Sequence, residues 1–287
     1  MRVLVTGATG LLGGYLLREA KARGLDTVAW GQATGYLDYH SCDLAEPRMV
    51  SAAFRAAEPD LVIHAGALAS VEACRRDPVR ARRVNTDGTA LLAEKATMAG
   101  ARMVHVSTDL VFDGEKGNYR ETDVTGPLSL YGRTKVDADH VLQAHPQHAV
   151  ARSSLLFGPT LTRRSGFFDT QLAALRAGKP LTLFEDEWRT PLSLAMAAQA
   201  LLTIALSKFA GLIHVGGPER MSRLEMGQRL AAHLGADPHC IVAVSRASVQ
   251  AAEPRPRDSS LDSSLWRSLF PQAPWPEFEA ALREMGV

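Results

Sequence analysis

Short apolar runs recur along the first half of the chain, each followed by a turn and then by a stretch of helical spacing. Residues 2–6, 27–30, 60–64, 103–106 and 149–152 are largely apolar, the pattern of strands buried on both faces of a parallel sheet. Residues 39–44 add a further short strand and its turn. Helical spacing follows at 15–23, from Glu46 onward, at 79–100 and at 128–144. Strand and helix alternating in this way predict an α/β fold with a parallel sheet. Beyond Pro159 the alternation loosens. Residues 165–177, 193–206, 222–234 and 275–285 are helical in pattern, and 211–215 reads as one more strand. The boundary drawn from that change separates residues 1–158 from a smaller, mixed α/β lobe over 159–287, whose segments are expected to interleave with the first part in space.

The turn after the first run carries the first chemical signal. Gly7, Gly10 and Gly13 stand between a strand and a helix, the context a dinucleotide fingerprint requires. Gly7 permits a tight turn, Gly10 lets backbone approach a pyrophosphate, and Gly13 lets the helix pack closely on the strand. Free N–H groups at the helix start favour the phosphates. Residues 1–158 are thus read as a Rossmann NAD(P)-binding domain with a doubly wound parallel sheet, in which Gly7, Thr9, Gly10, Leu11, Leu12 and Gly13 meet the cofactor. The plainer alternative is a glycine-rich βα turn without a ligand.

The end of the second strand normally carries an acid for the ribose hydroxyls of NAD. Here Trp30, Gly31, Gln32, Ala33 and Thr34 stand there. Without that carboxylate a 2′-phosphate is not repelled, so NADP(H) is favoured over NAD(H), although no arginine at this strand end clamps the phosphate. Asp43, beside Leu44, has two readings of equal weight: it bonds the adenine amino group, or it caps the helix from Glu46. Ala65, Gly66 and Ala67 let backbone approach a flat cofactor, or simply pack tightly. Asn85, inside the helix read over 79–100, could bond backbone near the fourth strand or hold a water near a lysine; solvent exposure is the simpler expectation.

Residues 107–135 hold the candidate catalytic groups. Ser107 and Thr108 leave the end of a strand, where such sheets collect their ligands. Tyr131 and Lys135 are four apart and share one helix face. An ammonium beside the phenol would lower the tyrosine from its usual value of about 10, making it an acid or base near neutral pH. Alone, such a pair is more often an ordinary solvated one; its place after a nucleotide-binding amino terminus changes the balance. Arg189, in a polar loop with one tryptophan, could contact phosphate or belong to a plain surface turn.

Composition narrows the class. With Lys+Arg 32 against Asp+Glu 31 the net charge is +1, which gives no case for nucleic acid or a polybasic membrane surface. Cys42, Cys74 and Cys240 are scattered, so reduced thiols in a cytoplasm are expected. No signal peptide is read at the amino terminus, and no apolar run reaches the roughly 20 residues of a membrane span. The nine histidines show no ligand spacing, so no metal is assigned.

Gly7-x-x-Gly10-x-x-Gly13, the string S-T-D-L-V-F-D-G from Ser107 to Gly114, and Tyr131-Gly-x-x-Lys135 together resemble the extended short-chain dehydrogenase/reductases, in particular the dTDP-4-dehydrorhamnose reductase branch. The resemblance spans the first lobe and continues through Arg152, Phe157-Gly158, Arg189-Thr-Pro191 and Arg255-Pro-Arg-Asp258. It implies Thr108 rather than Ser107 as the hydroxyl partner, Tyr131 as acid, and Lys135 as the group that binds ribose and tunes Tyr131. Thr108, Asp109, Tyr131 and Arg189 are expected to face substrate. The implied reaction is reduction of the ketone of a nucleotide-linked 4-keto-deoxysugar, and a homodimer is the assembly considered. Two positions depart from the branch: Leu110 stands where a tyrosine is usual and Leu155 where a tryptophan often is. Both changes remove an aromatic surface for the sugar. An epimerase or dehydratase is the alternative within enzymes, although a D-E pair beside Thr108 is missing. A non-catalytic NADP-binding subunit resembling the methionine adenosyltransferase beta subunit is the alternative outside them.

Overall fold

The computed structural model describes residues 1–32 and 39–287; Ala33 and Thr34 lie outside them. Strands β1 (Arg2–Thr6), β2 (Asp26–Gly31), β3 (Tyr39–Ser41), β4 (Leu61–His64), β5 (Arg102–Thr108) and β6 (Ala149–Ser153) alternate with helices. The helices are α1 (Leu11–Ala22), α2 (Pro47–Ala57), α3 (Val71–Arg76), α4 (Pro78–Arg82), α5 (Gly88–Met98) and α6 (Leu130–Gln143). After these come β7 (Leu156–Phe157), α7 (Phe167–Arg176), β8 (Leu181–Phe184), β9 (Trp188–Arg189), β10 (Leu192–Ser193), α8 (Leu194–Leu206) and β11 (Gly211–Val215). The chain closes with β12 (Met221–Ser222), α9 (Arg223–Leu234), β13 (Ile241–Val244), α10 (Ser264–Leu269) and α11 (Phe278–Met285).

Among the described residues the central sheet has seven strands in the order β11-β6-β5-β4-β1-β2-β3, all parallel. The strand order reverses between β1 and β4, and the crevice beyond their carboxyl ends is where such sheets bind ligands. Because both faces are covered, the central strands are apolar over most of their length, with polar residues such as His64 and His105 buried among them. Val3, Val5 and Ile63 pack under α1 and α8, while Leu4, Val62 and Met103 pack under α2 and α5.

The chain returns to this sheet after leaving it. β11 pairs with β6 over Gly211–Val215, and α8, apolar along most of its length, lies against α1. The remaining late segments form a separate core around Phe157, Phe168, Met226 and Phe278, held by three two-stranded pairings: β7 with β10, β8 with β13 and β9 with β12. These strands are two to four residues long, too short for the apolar alternation to register in sequence.

The helix expected over 79–100 is broken. Arg83–Asp87 forms a π-helical turn between α4 and α5, and its wider winding turns Val84, Asn85 and Thr86 inward. Asn85 is fully buried, so the expectation of solvent exposure is corrected. Its Oδ1 accepts from Leu68 N at 2.8 Å, and its Nδ2 donates to Leu68 O at 3.2 Å and to Thr134 Oγ1 at 3.0 Å. One side chain thus ties the loop after β4 to α6.

Candidate active site

A cavity of about 870 Å³ opens over the carboxyl ends of β1, β4 and β5, and every residue predicted above for the site lines it except Asp43. The cavity runs from the glycine turn and the end of β2, past Tyr131, to Arg223 and Arg255 of the second lobe.

The glycine turn is shaped as a cradle. Gly7 has φ +70°, and a Cβ there would lie 2.7 Å from Ala65 O and Gly66 N. A Cβ on Gly13 would lie 2.3 Å from Gly7 O. Turn, helix start and the Ala65–Gly66 backbone are thus in direct contact, and the first turn of α1, which no side chain caps, suits the diphosphate of a nicotinamide dinucleotide.

The backbone at Gly66 is fixed by a buried chain of hydroxyls and imidazole. Thr89 spends its single hydroxyl proton on Asn85 O at 2.6 Å, so it accepts from His64 Nε2 at 2.9 Å. His64 Nδ1 therefore accepts from the Thr6 hydroxyl at 2.6 Å, whose oxygen receives Gly66 N–H at 3.0 Å. Burial, with the Lys135 charge behind it, pushes His64 down to about 3, which keeps it neutral in this role.

Thr108 ends β5. Its hydroxyl accepts from Leu110 N and donates to Asp109 Oδ1, both at 3.2 Å. Ser107, one residue earlier, lies instead beside Asp139 on α6. Asp109 is buried; its Oδ2 accepts from Ser154 Oγ at 3.0 Å and stands 3.6 Å from Arg189 Nε. Burial raises Asp109 against the pull of Arg189. Arg189 is buried too and also pairs with Glu187, which in turn binds Arg255 at 2.8 Å, so it is not the plain surface turn that sequence allowed.

Tyr131 sits in the first turn of α6, whose start Ser129 caps by accepting Gly132 N–H. Its phenol departs from the sequence expectation. Burial raises it above its ordinary value, and the Asp109 charge adds to the rise; the neighbouring Thr108 hydroxyl works against them. The expected lowering by Lys135 is not among the influences that set this shift. Lys135 Nζ donates to Val106 O at 2.7 Å and lies 2.9 Å from His105 Nε2. Burial pulls Lys135 down to about 8, with Asp139 opposing. Near neutral pH the site therefore holds a protonated phenol beside a largely protonated lysine.

Asp43 does not cap the helix that follows. That helix, with Glu46 at its N-cap, has no side-chain cap, and Asp43 Oδ1 accepts from Ala45 N and Gln32 Nε2, both at 3.0 Å. Its other oxygen accepts from Arg80 Nη2 at 2.9 Å. Arg80 is the residue that sequence reading missed near the end of β2: it comes from α4, past β4, and only the folded chain brings it to Gln32 and the cavity. Leu110 and Leu155 both line the cavity, where they present aliphatic surface.

A family model described as the RmlD substrate binding domain matches residues 1–286. The dTDP-4-dehydrorhamnose reductase of Mycobacterium tuberculosis is 31% identical over 274 residues, covering 92% of this chain and 86% of its own. The methionine adenosyltransferase 2 subunit beta of Pongo abelii is 28% identical, covering 93% of this chain and 82% of its own. The crystal structure of dTDP-4-dehydrorhamnose reductase from Bacillus anthracis in complex with NADP shares the fold, with a TM-score of 0.89 and 22% identity over 99% of this chain and 98% of that one. The seven-stranded parallel sheet and its glycine turn agree with these matches, and the chain belongs to the RmlD substrate-binding domain family.

Proposed function

We propose that the protein is an NAD(P)H-dependent reductase of a nucleotide-linked 4-keto-deoxysugar. The reading rests above all on one observation: Thr108, Tyr131 and Lys135 line the same cavity as the glycine cradle. The similarity to dTDP-4-dehydrorhamnose reductases supports the substrate class. When bound, the reduced nicotinamide supplies hydride to the keto carbon. Tyr131 donates its phenolic proton to the ketone oxygen, and a phenol held protonated by burial and by Asp109 suits that direction of reaction. Thr108 turns its hydroxyl to the same oxygen and orients it. Lys135 offers an ammonium N–H to the ribose hydroxyls and stabilises the phenolate left after proton transfer. Gly7, Gly10 and Gly13 hold the diphosphate at the start of α1.

NADP(H) is the preferred cofactor in this reading. The end of β2 carries no acid within its described residues, and the Arg80 guanidinium, paired with Asp43, lines that end of the cavity. The experiment is to follow loss of reduced-nicotinamide absorbance with NADPH and then NADH, before and after adding a dTDP-4-keto-deoxysugar. Oxidation that depends on substrate and falls by about 10²-fold or more in Tyr131→Phe is expected. Cofactor binding without oxidation of any keto sugar would overturn the reading in favour of a non-catalytic, NADP-binding subunit. Leu110 and Leu155, aliphatic where the reductases tend to have aromatic residues, and the similarity to the methionine adenosyltransferase beta subunit favour that second reading.

A further inference from the structure

We propose that His105 is the positioning residue for Lys135, holding its ammonium so that the one remaining N–H is turned into the cavity. An ammonium has three hydrogens and no acceptor. One of the three goes to Val106 O at 2.7 Å. The second contact, at 2.9 Å to His105 Nε2, requires that nitrogen to carry a bare lone pair while Lys135 is charged. Both acceptors come from adjacent residues of β5, one by its carbonyl and one by its ring, so the strand itself fixes the lysine's orientation. The third hydrogen is left for the cavity that Lys135 lines with Tyr131.

The surroundings leave His105 no other role for that nitrogen. The ring is fully buried on the α6 side of the sheet. His64, its cross-strand neighbour on β4, stacks at 5.1 Å between centroids, but both His64 nitrogens are committed to Thr6 and Thr89. Burial, the Lys135 charge and His64 together keep His105 far below its ordinary value, so it remains a neutral acceptor over the working range. The other charged or titratable groups around the pair are Asp139 and Tyr131 on α6, Arg152 on β6 bonded to Asp139 at 2.9 Å, Asp109 after β5, and Cys74 on α3 beside Tyr131. None of these accepts from Lys135 Nζ.

A buried ammonium that loses one of two acceptors is easier to deprotonate, and the loss of one charge-assisted bond is worth about one pH unit, or tenfold in the ratio of protonation states. The inference rests on the proposed role of Lys135 at the cofactor ribose, so the primary readout is NADPH affinity against pH, which needs no turnover. His105→Gln keeps an acceptor about as far from the backbone as Nε2; His105→Asn is polar but one bond too short; His105→Leu has no acceptor. In the wild-type protein NADPH affinity is expected to fall above about pH 8 as Lys135 loses its proton. That limb moves down by about one unit in His105→Asn and His105→Leu and returns toward its wild-type place in His105→Gln. If His105→Leu does not fold, the Asn and Gln variants decide between them. An unmoved limb in His105→Asn, or an equal shift in Asn and Gln, overturns the role of His105. Absence of keto-sugar reduction by the wild-type protein bears on the proposed reaction instead and leaves the binding comparison intact.

Discussion

Adjacent glycines in α1 separate a steric requirement from a helix preference. A methyl added at Gly13 would lie 2.3 Å from Gly7 O and 2.6 Å from the Cα and carbonyl carbon of Ala8. All of these are backbone atoms of the turn, so no side chain can swing aside. Restoring even a 3.0 Å contact requires the start of α1 to retreat by about 0.7 Å, which opens the cradle where the pyrophosphate is expected. At Gly14 the nearest atoms to the added methyl are side-chain ones, Leu161 Cβ and Thr162 Cγ2, each at 3.1 Å, with Leu161 C at an ordinary 3.7 Å. Both substitutions gain about 1 kcal/mol of helix propensity. Overpacking against a wall that cannot yield costs about 1–3 kcal/mol, with larger values where backbone must move. Gly13→Ala is therefore expected to lose about 1–2 kcal/mol net, while Gly14→Ala stays within about 1 kcal/mol of the wild type. A displacement approaching 1 Å in a binding cradle costs up to about 10²-fold, so NADPH affinity in Gly13→Ala should fall by at least about tenfold. Denaturant unfolding gives the first quantity and cofactor fluorescence titration the second. Wild-type affinity in Gly13→Ala, or greater damage from Gly14→Ala, would refute the reasoning.

The buried histidines set the response to acid. His64 at about 3 and His214 at about 4 lie below the unfolded value of 6.5, so the unfolded chain binds more protons once the pH drops below that value. Stability is then full above about pH 6.5 and is lost toward pH 4, with a slope approaching about 1.4 kcal/mol per unit for each histidine. Constant unfolding free energy between about pH 7 and 5 would contradict this. Asn85→Ala strips both bonds from Leu68 and should cost about 1–3 kcal/mol. It should also weaken cofactor binding as the loop after β4 loosens; unchanged NADPH affinity would count against the tie. Arg80→Ala should weaken NADPH binding by about tenfold and NADH binding less; equal losses for the two would remove Arg80 from cofactor discrimination.

What sequence could reveal depended on the range over which each signal acts. Gly7, Gly10 and Gly13 are legible because one strand, one turn and one helix are contiguous, and the parallel sheet is legible because strands buried on both faces are mostly apolar. Tyr131 and Lys135 are placed together by helix geometry alone. The tuning of Tyr131 was not legible, since it arises from burial and from the Asp109 carboxylate after another element. Arg80 was hidden for a similar reason: its partner Asp43 lies 37 residues earlier, across β4. Asn85 looked like a solvated helix residue because nothing local announces that the helix winds more widely there. The two-residue strands β7, β9, β10 and β12 are too short to carry any period.

The late return of β11 and α8 to the first sheet makes the chain after residue 158 impossible to treat as a detachable cassette. A chain ending at residue 158 would expose the whole pairing edge of β6 and strip α1 of the helix that covers it. Grafting the second half of a relative onto this first half would import a foreign edge strand along with a foreign wall of the cavity. Exchange of substrate preference is therefore easier through single positions on the cavity wall, such as Leu110 and Leu155, than through recombination of halves.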